Sequence, residues 1–67
     1  MKEYNILIET NSDSWMYLAY SYEFSQYSLV STVSEAVRIS EHHGAKKAMD
    51  WIFTNLQFKS IKIIKAN

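Results

Sequence analysis

Tyr4-Asn5-Ile6-Leu7-Ile8-Glu9-Thr10-Asn11-Ser12-Asp13-Ser14-Trp15-Met16-Tyr17-Leu18-Ala19-Tyr20 is the stretch on which the fold turns. Tyr4, Ile6 and Ile8 alternate with Asn5, Leu7 and Glu9, the period of a half-buried strand. Asn11 to Ser14 is a run of turn formers whose side chains bond nearby backbone. A second alternating run follows from Trp15 to Tyr22 or Phe24. Together they predict an antiparallel hairpin. Its second strand carries large side chains on both faces: Met16, Leu18, Tyr20, Tyr22 and Phe24 on one, Trp15 and Tyr17 on the other. A chain of 67 residues has one core and covers one sheet face well, so apolar side chains on the other face need a partner or stay wet.

Downstream, Ser25 to Ser31 reads as a loop with a little strand character near Leu29. Thr32-Val33-Ser34-Glu35 fits a capping box and predicts a helix starting near Val33, with Val33, Ala36, Val37 and Ser40 turned inward. Ala45, Ala48, Met49, Ile52 and Leu56 form a second helical stripe, out of phase with the first. The break is expected at 42–44, with Gly44, the one glycine, ending the first helix as a C′ residue. A kinked helix or two short helices result; a single later helix capped by Ser40 is the alternative. Trp51 is expected against the first helical piece. Phe58 to Lys65 is the last strand.

The predicted fold is therefore α+β, with order β-β-α-β in one domain over residues 1–67. Its mainly antiparallel sheet has three strands, or four if 25–31 adds one, in the order 2-1-3. A kinked or split helical layer covers Tyr4, Ile6, Ile8, Met16, Leu18, Tyr20, Ile61 and Ile63. The far face carries Leu7, Trp15, Tyr17, Ala19 and Ile64, with Asn5, Glu9 and Lys62 among them.

Composition narrows the function more than it names it. Hydrophobic residues make up 48% of the chain, enough for a core, and there is no cysteine for a disulfide or thiolate site. No run approaches the ~20 apolar residues of a membrane span. Met1-Lys2-Glu3-Tyr4-Asn5 carries an acid and runs into a strand, unlike a signal peptide, so a cytoplasmic location is expected. Formal charge is zero but split. Over residues 1–44, Lys2 and Arg38 face Glu3, Glu9, Asp13, Glu23, Glu35 and Glu41. Over residues 45–67, Lys46, Lys47, Lys59, Lys62 and Lys65 face only Asp50.

No catalytic pattern emerges, and no enzyme activity, cofactor or metal is expected. The serines have no nucleophile elbow, and one glycine cannot build a phosphate loop. The acids are scattered rather than paired for proton transfer. Adjacent His42 and His43 point ~100° apart on a helix and lack a third ligand at helical spacing. Leu7, Trp15, Tyr17 and Ile64, rimmed by Glu9 and Asp13, are instead the candidate protein-binding residues, since Trp and Tyr dominate interface energetics. The ordinary alternative is that a neighbouring segment folds over them. Lys46, Lys47, Lys59, Lys62 and Lys65, near Trp51, Phe53 and Phe58, form a second candidate surface, for nucleic acid. Face-to-face self-association of two sheets is a third possibility.

The succession of Tyr4 to Thr10, Ser14 to Leu18, Ser34-Glu35-Ala36-Val37-Arg38-Ile39-Ser40, Ala45 to Ile52 and Ile61-Lys62-Ile63-Ile64-Lys65 resembles the small β-β-α-β orphan proteins of phages and prophages of low-GC bacteria. The excess of Phe, Tyr, Met, Ile, Asn and Lys over Gly, Ala, Arg and Pro fits such AT-rich coding. That resemblance implies action by binding and steric blockade. Expected targets are a host defence complex (anti-CRISPR or anti-restriction type) or another host enzyme, with a nucleic-acid-processing complex as one candidate partner.

Overall fold

A computed structural model describes residues 2–40 and 44–66. The fold is α+β: one sheet of five strands with one α-helix on it. Strands β1 (Glu3–Thr10) and β2 (Trp15–Ser21) form the expected hairpin, with Leu7 opposite Tyr17, Ile8 opposite Met16 and Glu9 opposite Trp15. The turn closes through Thr10 N–H to Ser14 O at 2.8 Å. It places Asp13 at φ 65°, a left-handed conformation that Asp tolerates. The last strand, β5 (Phe58–Lys65), lies antiparallel along the other edge of β1. The expected order around a central first strand is thus present.

Three departures come from the middle of the chain. First, 25–31 takes the strand alternative rather than the loop: Gln26–Val30 forms β3, antiparallel to β2 on its outer edge. Leu29 pairs with Leu18 and Tyr27 with Tyr20, so β3 continues both alternations. β2 correspondingly ends at Ser21, and Tyr22 and Phe24 stand exposed in the connection.

Second, no α-helix starts at Val33. Val33–Glu35 makes a single 3-10 turn, after which Ala36 is extended. The Thr32 hydroxyl donates to Glu35 Oε1 at 2.8 Å rather than capping a backbone N–H. Residues 36–40 are captured by the sheet instead. β2 peels away from β1 beyond Leu7 and Tyr17, and the chain enters the fork. The Val37 N–H takes the Leu18 carbonyl at 2.9 Å, and Asn5 Nδ2 donates to the Val37 carbonyl at 3.2 Å. Ile39–Ser40 then pairs with Tyr4 and Glu3 as β4. Tyr4 pairs with both Ile39 and Lys65, so β4 lies on the β2 side of β1. Backbone pairing in this fork outweighs the local capping signal.

Third, Gly44 begins a helix instead of ending one. It is the N-cap of α1 (Ala45–Asn55) at φ 88°, a left-handed backbone that glycine adopts without penalty. The helical stripe is as read: Ala48 and Ile52 are fully buried, while Ala45, Met49 and Leu56 are half-buried. These pack on Ile6, Ile8, Leu18 and Ile39. Trp51 has no first helix to meet and lies against Tyr27 of β3, ring centroids 5.4 Å apart. His42 and His43, with the expected helix break, fall outside the described residues.

A helix is about 10 Å across and strands lie ~4.8 Å apart, so one helix roofs about two strands. α1 sits over the centre of the sheet. The β3 side is filled by Trp51 and a tyrosine cluster. The β5 side is not filled: Ile63, expected in the core, is 57% exposed, and Phe53 lies exposed against Phe58 at 5.4 Å.

Candidate functional site

The face of the sheet opposite α1 is the candidate site. Register places Asn5, Leu7 and Glu9 of β1 on it, with Trp15, Tyr17 and Ala19 of β2, Val30 of β3, and Ser60, Lys62 and Ile64 of β5. Val30, Tyr17, Leu7 and Lys62 form one cross-strand row. Trp15, Glu9 and Ser60 form the next, and Ile64 sits diagonally to Leu7. Four of the sequence-derived protein-binding residues, Leu7, Trp15, Tyr17 and Ile64, are therefore neighbours on one surface. Glu9 is inserted among them, while Asp13 lies in the hairpin turn at its margin.

The face is partly covered. Val30 pairs on the outer edge of β2 and Val37 bonds to its inner edge, so residues 31–36 must cross that strand. They cross on the far face, because Val33 and Ser34 line the same groove as Asn5, Tyr17 and Ile64. Arg38 and Lys65 complete this shallow groove of about 300 Å³. The crossing explains why Ala19 is 7% exposed although α1 is on the other side. It also accounts for Asn5, expected on an open face but buried against the crossing chain. Leu7, Tyr17 and Ile64 remain half-buried, and Trp15 is 42% exposed.

Polar groups hold this surface in place. Lys62 Nζ stands 5.5 Å from the Trp15 ring centroid, a cation–π contact that fixes the indole. The Ser60 hydroxyl donates to Glu9 Oε1 at 2.9 Å. At the turn, Lys59 pairs with Asp13. A bulge near Glu9 and Thr10 leaves Lys59 out of the ladder, since Glu9 opposes Ser60 and Thr10 opposes Phe58. At the other end Arg38 lies 3.6 Å from Glu3. Asp13 and Glu3 are thus paired with the protein's own cations, while Glu9 meets only a neutral hydroxyl.

The lysines of the second candidate surface do not converge. Lys46 and Lys47 are in the first turn of α1, Lys62 is on the far face against Trp15, Lys59 is tied to the hairpin turn, and Lys65 pairs opposite Tyr4 at the end of β5.

One feature lay beyond sequence reasoning. Tyr20 packs on Tyr22 and Tyr27 at centroid distances of 5.0 and 4.7 Å, and the three line a concavity of about 200 Å³ with Arg38 and Lys47. Burial, and secondarily the neighbouring Tyr20 and Tyr22 phenols, push the Tyr27 hydroxyl above its ordinary pKa. The even-numbered alternation in β2 was the available signal, but the partner Tyr27 appears only once β3 is a strand.

No helix among the described residues is long and apolar enough to cross a membrane. No protein-family model matches the chain, and no curated protein or solved structure matches it.

Proposed function

We propose that this protein is a non-enzymatic binding module that docks a partner protein on the far face of its sheet. The observation that carries this reading is Trp15, 42% exposed beside half-buried Leu7, Tyr17 and Ile64, on a face over which no α-helix or second sheet lies among the described residues. A rigid indole surrounded by partly covered apolar neighbours is the usual form of an interface anchor. The Lys62 ammonium and the sheet backbone hold that indole before binding, which lowers the ordering cost of association.

Apolar contact, rather than charge, selects the partner in this reading. Asp13 and Glu3 are engaged by Lys59 and Arg38, so of these acids only Glu9, bonded to the neutral Ser60 hydroxyl, offers charge to a basic groove. Action by steric blockade, as the resemblance to phage-type orphan proteins implies, fits a module whose chemistry is confined to surface contact.

The test is a tagged capture from native lysate after nuclease treatment, run with wild type, Trp15→Ala and Tyr17→Ala. A stoichiometric protein retained by wild type and weakened by about 2 kcal/mol or more in each variant supports the reading. Equal retention by all three would sink it. Far-UV circular dichroism of the variants separates lost binding from lost fold.

A further inference from the structure

The outer edge of β5 pairs with no other strand among the described residues, and its hydrogen-bonding polarity follows from two bonds. Ala66 N–H donates to Glu3 O at 2.8 Å, which makes Glu3 and Ala66 a bonded pair of the β1–β5 ladder. Bonded pairs alternate along an antiparallel ladder, so Ile64, Lys62 and Ser60 turn their backbone groups toward β1. Thr10 N–H to Ser14 O on the opposite side of β1 fits the same alternation. Ile61, Ile63 and Lys65 therefore point their N–H and C=O groups outward from the sheet. The side chains of Ile61 and Ile63 lie on the α1 face, opposite Ile8 and Ile6.

Beside this edge is an apolar groove of about 240 Å³ between α1 and the sheet, lined by Tyr4, Ile6, Ile39, Ala45, Met49 and Ile63. A strand edge with free backbone groups next to an apolar groove under a helix is the arrangement by which extended peptides are recognised.

Charge decides the occupant. β5 carries Lys62 and Lys65, both exposed, and no carboxylate; its third lysine, Lys59, is paired with Asp13. A second copy is disfavoured. Two β5 edges side by side bring six lysines and no carboxylate together, and in the register about Lys62 they set Lys62 directly opposite Lys62, which destabilises a sheet.

We propose that the β5 edge binds an acidic, extended segment of a partner protein as an added antiparallel strand. An apolar residue of that segment packs on Ile63 at the mouth of the groove, and acids face Lys65 and Lys62. Lys62 also belongs to the far face, where it stands over Trp15, but the outward backbone groups and Ile63 that seat the strand lie at the edge and on the α1 face.

The probe is acetyl-Glu-Glu-Val-Leu-Glu-Val-Glu-amide, titrated into the ¹⁵N-labelled chain, with the lysine-for-glutamate peptide as control. The expected result is slowed exchange of the Ile61, Ile63 and Lys65 amides and at least tenfold weaker binding of the control. Ile63→Pro, which removes an outward N–H, should abolish binding. Lys62→Glu with Lys65→Glu, both at exposed positions, should reverse the preference between the two peptides even if the proline variant does not fold. Equal binding of both peptides, no binding of either, or shifts confined to other residues would overturn the proposal. So would a concentration-dependent dimer that protects the same three amides without peptide, which would assign the edge to a second copy.

Discussion

Asn5→Asp is the substitution that most directly probes how the middle of the chain is held. Asn5 is 4% exposed, and its amide donates to the Val37 carbonyl in the fork between β1 and β2. An aspartate there has the same shape. Protonated, it keeps a donor for Val37; ionised, it sets a buried charge against a carbonyl oxygen. Burial raises a carboxyl pKa, by up to about 3–5 units at full burial. A rise of about 2–3 units at ~1.4 kcal/mol each costs about 3–4 kcal/mol at pH 7. Total stability at roughly 0.05–0.15 kcal/mol per residue is only about 3–10 kcal/mol for a chain this size, so the variant should be largely or partly unfolded at neutral pH.

The pH dependence has a definite sign. The folded-state pKa lies above the unfolded value of about 3.9, so on raising the pH the unfolded chain gives up its proton first. Relative to wild type, the variant is least penalised below pH ~4 and loses stability progressively as pH rises through the folded pKa. Urea unfolding followed by tryptophan fluorescence between pH 3.5 and 7.5, with wild type subtracted, measures this. Asn5→Ala serves as a control: it loses the bond at a cost of about 1–3 kcal/mol with no matching pH dependence. A flat difference for Asn5→Asp, or one within about 0.5 kcal/mol of wild type at pH 7, would refute the burial of this amide and with it the wedge of residues 36–40.

Ile52→Ala should cost about 2–5 kcal/mol, because that side chain is fully buried, whereas Ile63→Ala should cost under about 0.5 kcal/mol. Equal losses in thermal unfolding would mean that α1 roofs β5 after all. Ser25 is exposed at φ 49°, a left-handed conformation that costs a residue with a Cβ about 1–2 kcal/mol. Ser25→Gly should raise stability by about 0.5–1 kcal/mol, seen as an increase of several degrees in Tm. An unchanged or lower Tm would contradict that turn geometry. Tyr27 should ionise above the ordinary tyrosine pKa of 10.0 in an absorbance titration at alkaline pH, since burial first and its tyrosine neighbours second raise its pKa. The unfolded chain then loses that proton first, so the contribution of Tyr27 is full below the ordinary pKa of 10.0 and declines as pH rises above it. Tyr27→Phe should blunt this alkaline loss, and an unaltered profile would count against the burial of the hydroxyl.

The candidate site was legible in the sequence to the extent that it depends on alternation. Leu7, Trp15, Tyr17 and Ile64 belong to one face because side chains on paired strands alternate with period two, whatever lies above or below them. The degree of their exposure was not legible. It depends on residues 31–36 crossing β2, and nothing in Ser31-Thr32-Val33-Ser34 distinguishes a crossing chain from the first turn of a helix. The groove beside β5 was equally hidden, since Ile61 and Ile63 read alike and differ only in their distance from a single helix.

Local periodicity by itself determined the β1–β2 hairpin, the last strand, the stripe of α1 and the face to which each strand residue belongs. Those choices follow from hydrogen bonds and side-chain directions repeating within a few residues. Only the tertiary structure decided the fate of residues 25–40, the role of Gly44 and the burial of Asn5. There the local signals for loop, capping box and helix end competed with backbone groups left unpaired where β2 leaves β1. Satisfying those groups through Val37 and Ile39 outweighed one turn of helix propensity, because an unpaired buried backbone group costs more than a cap contributes.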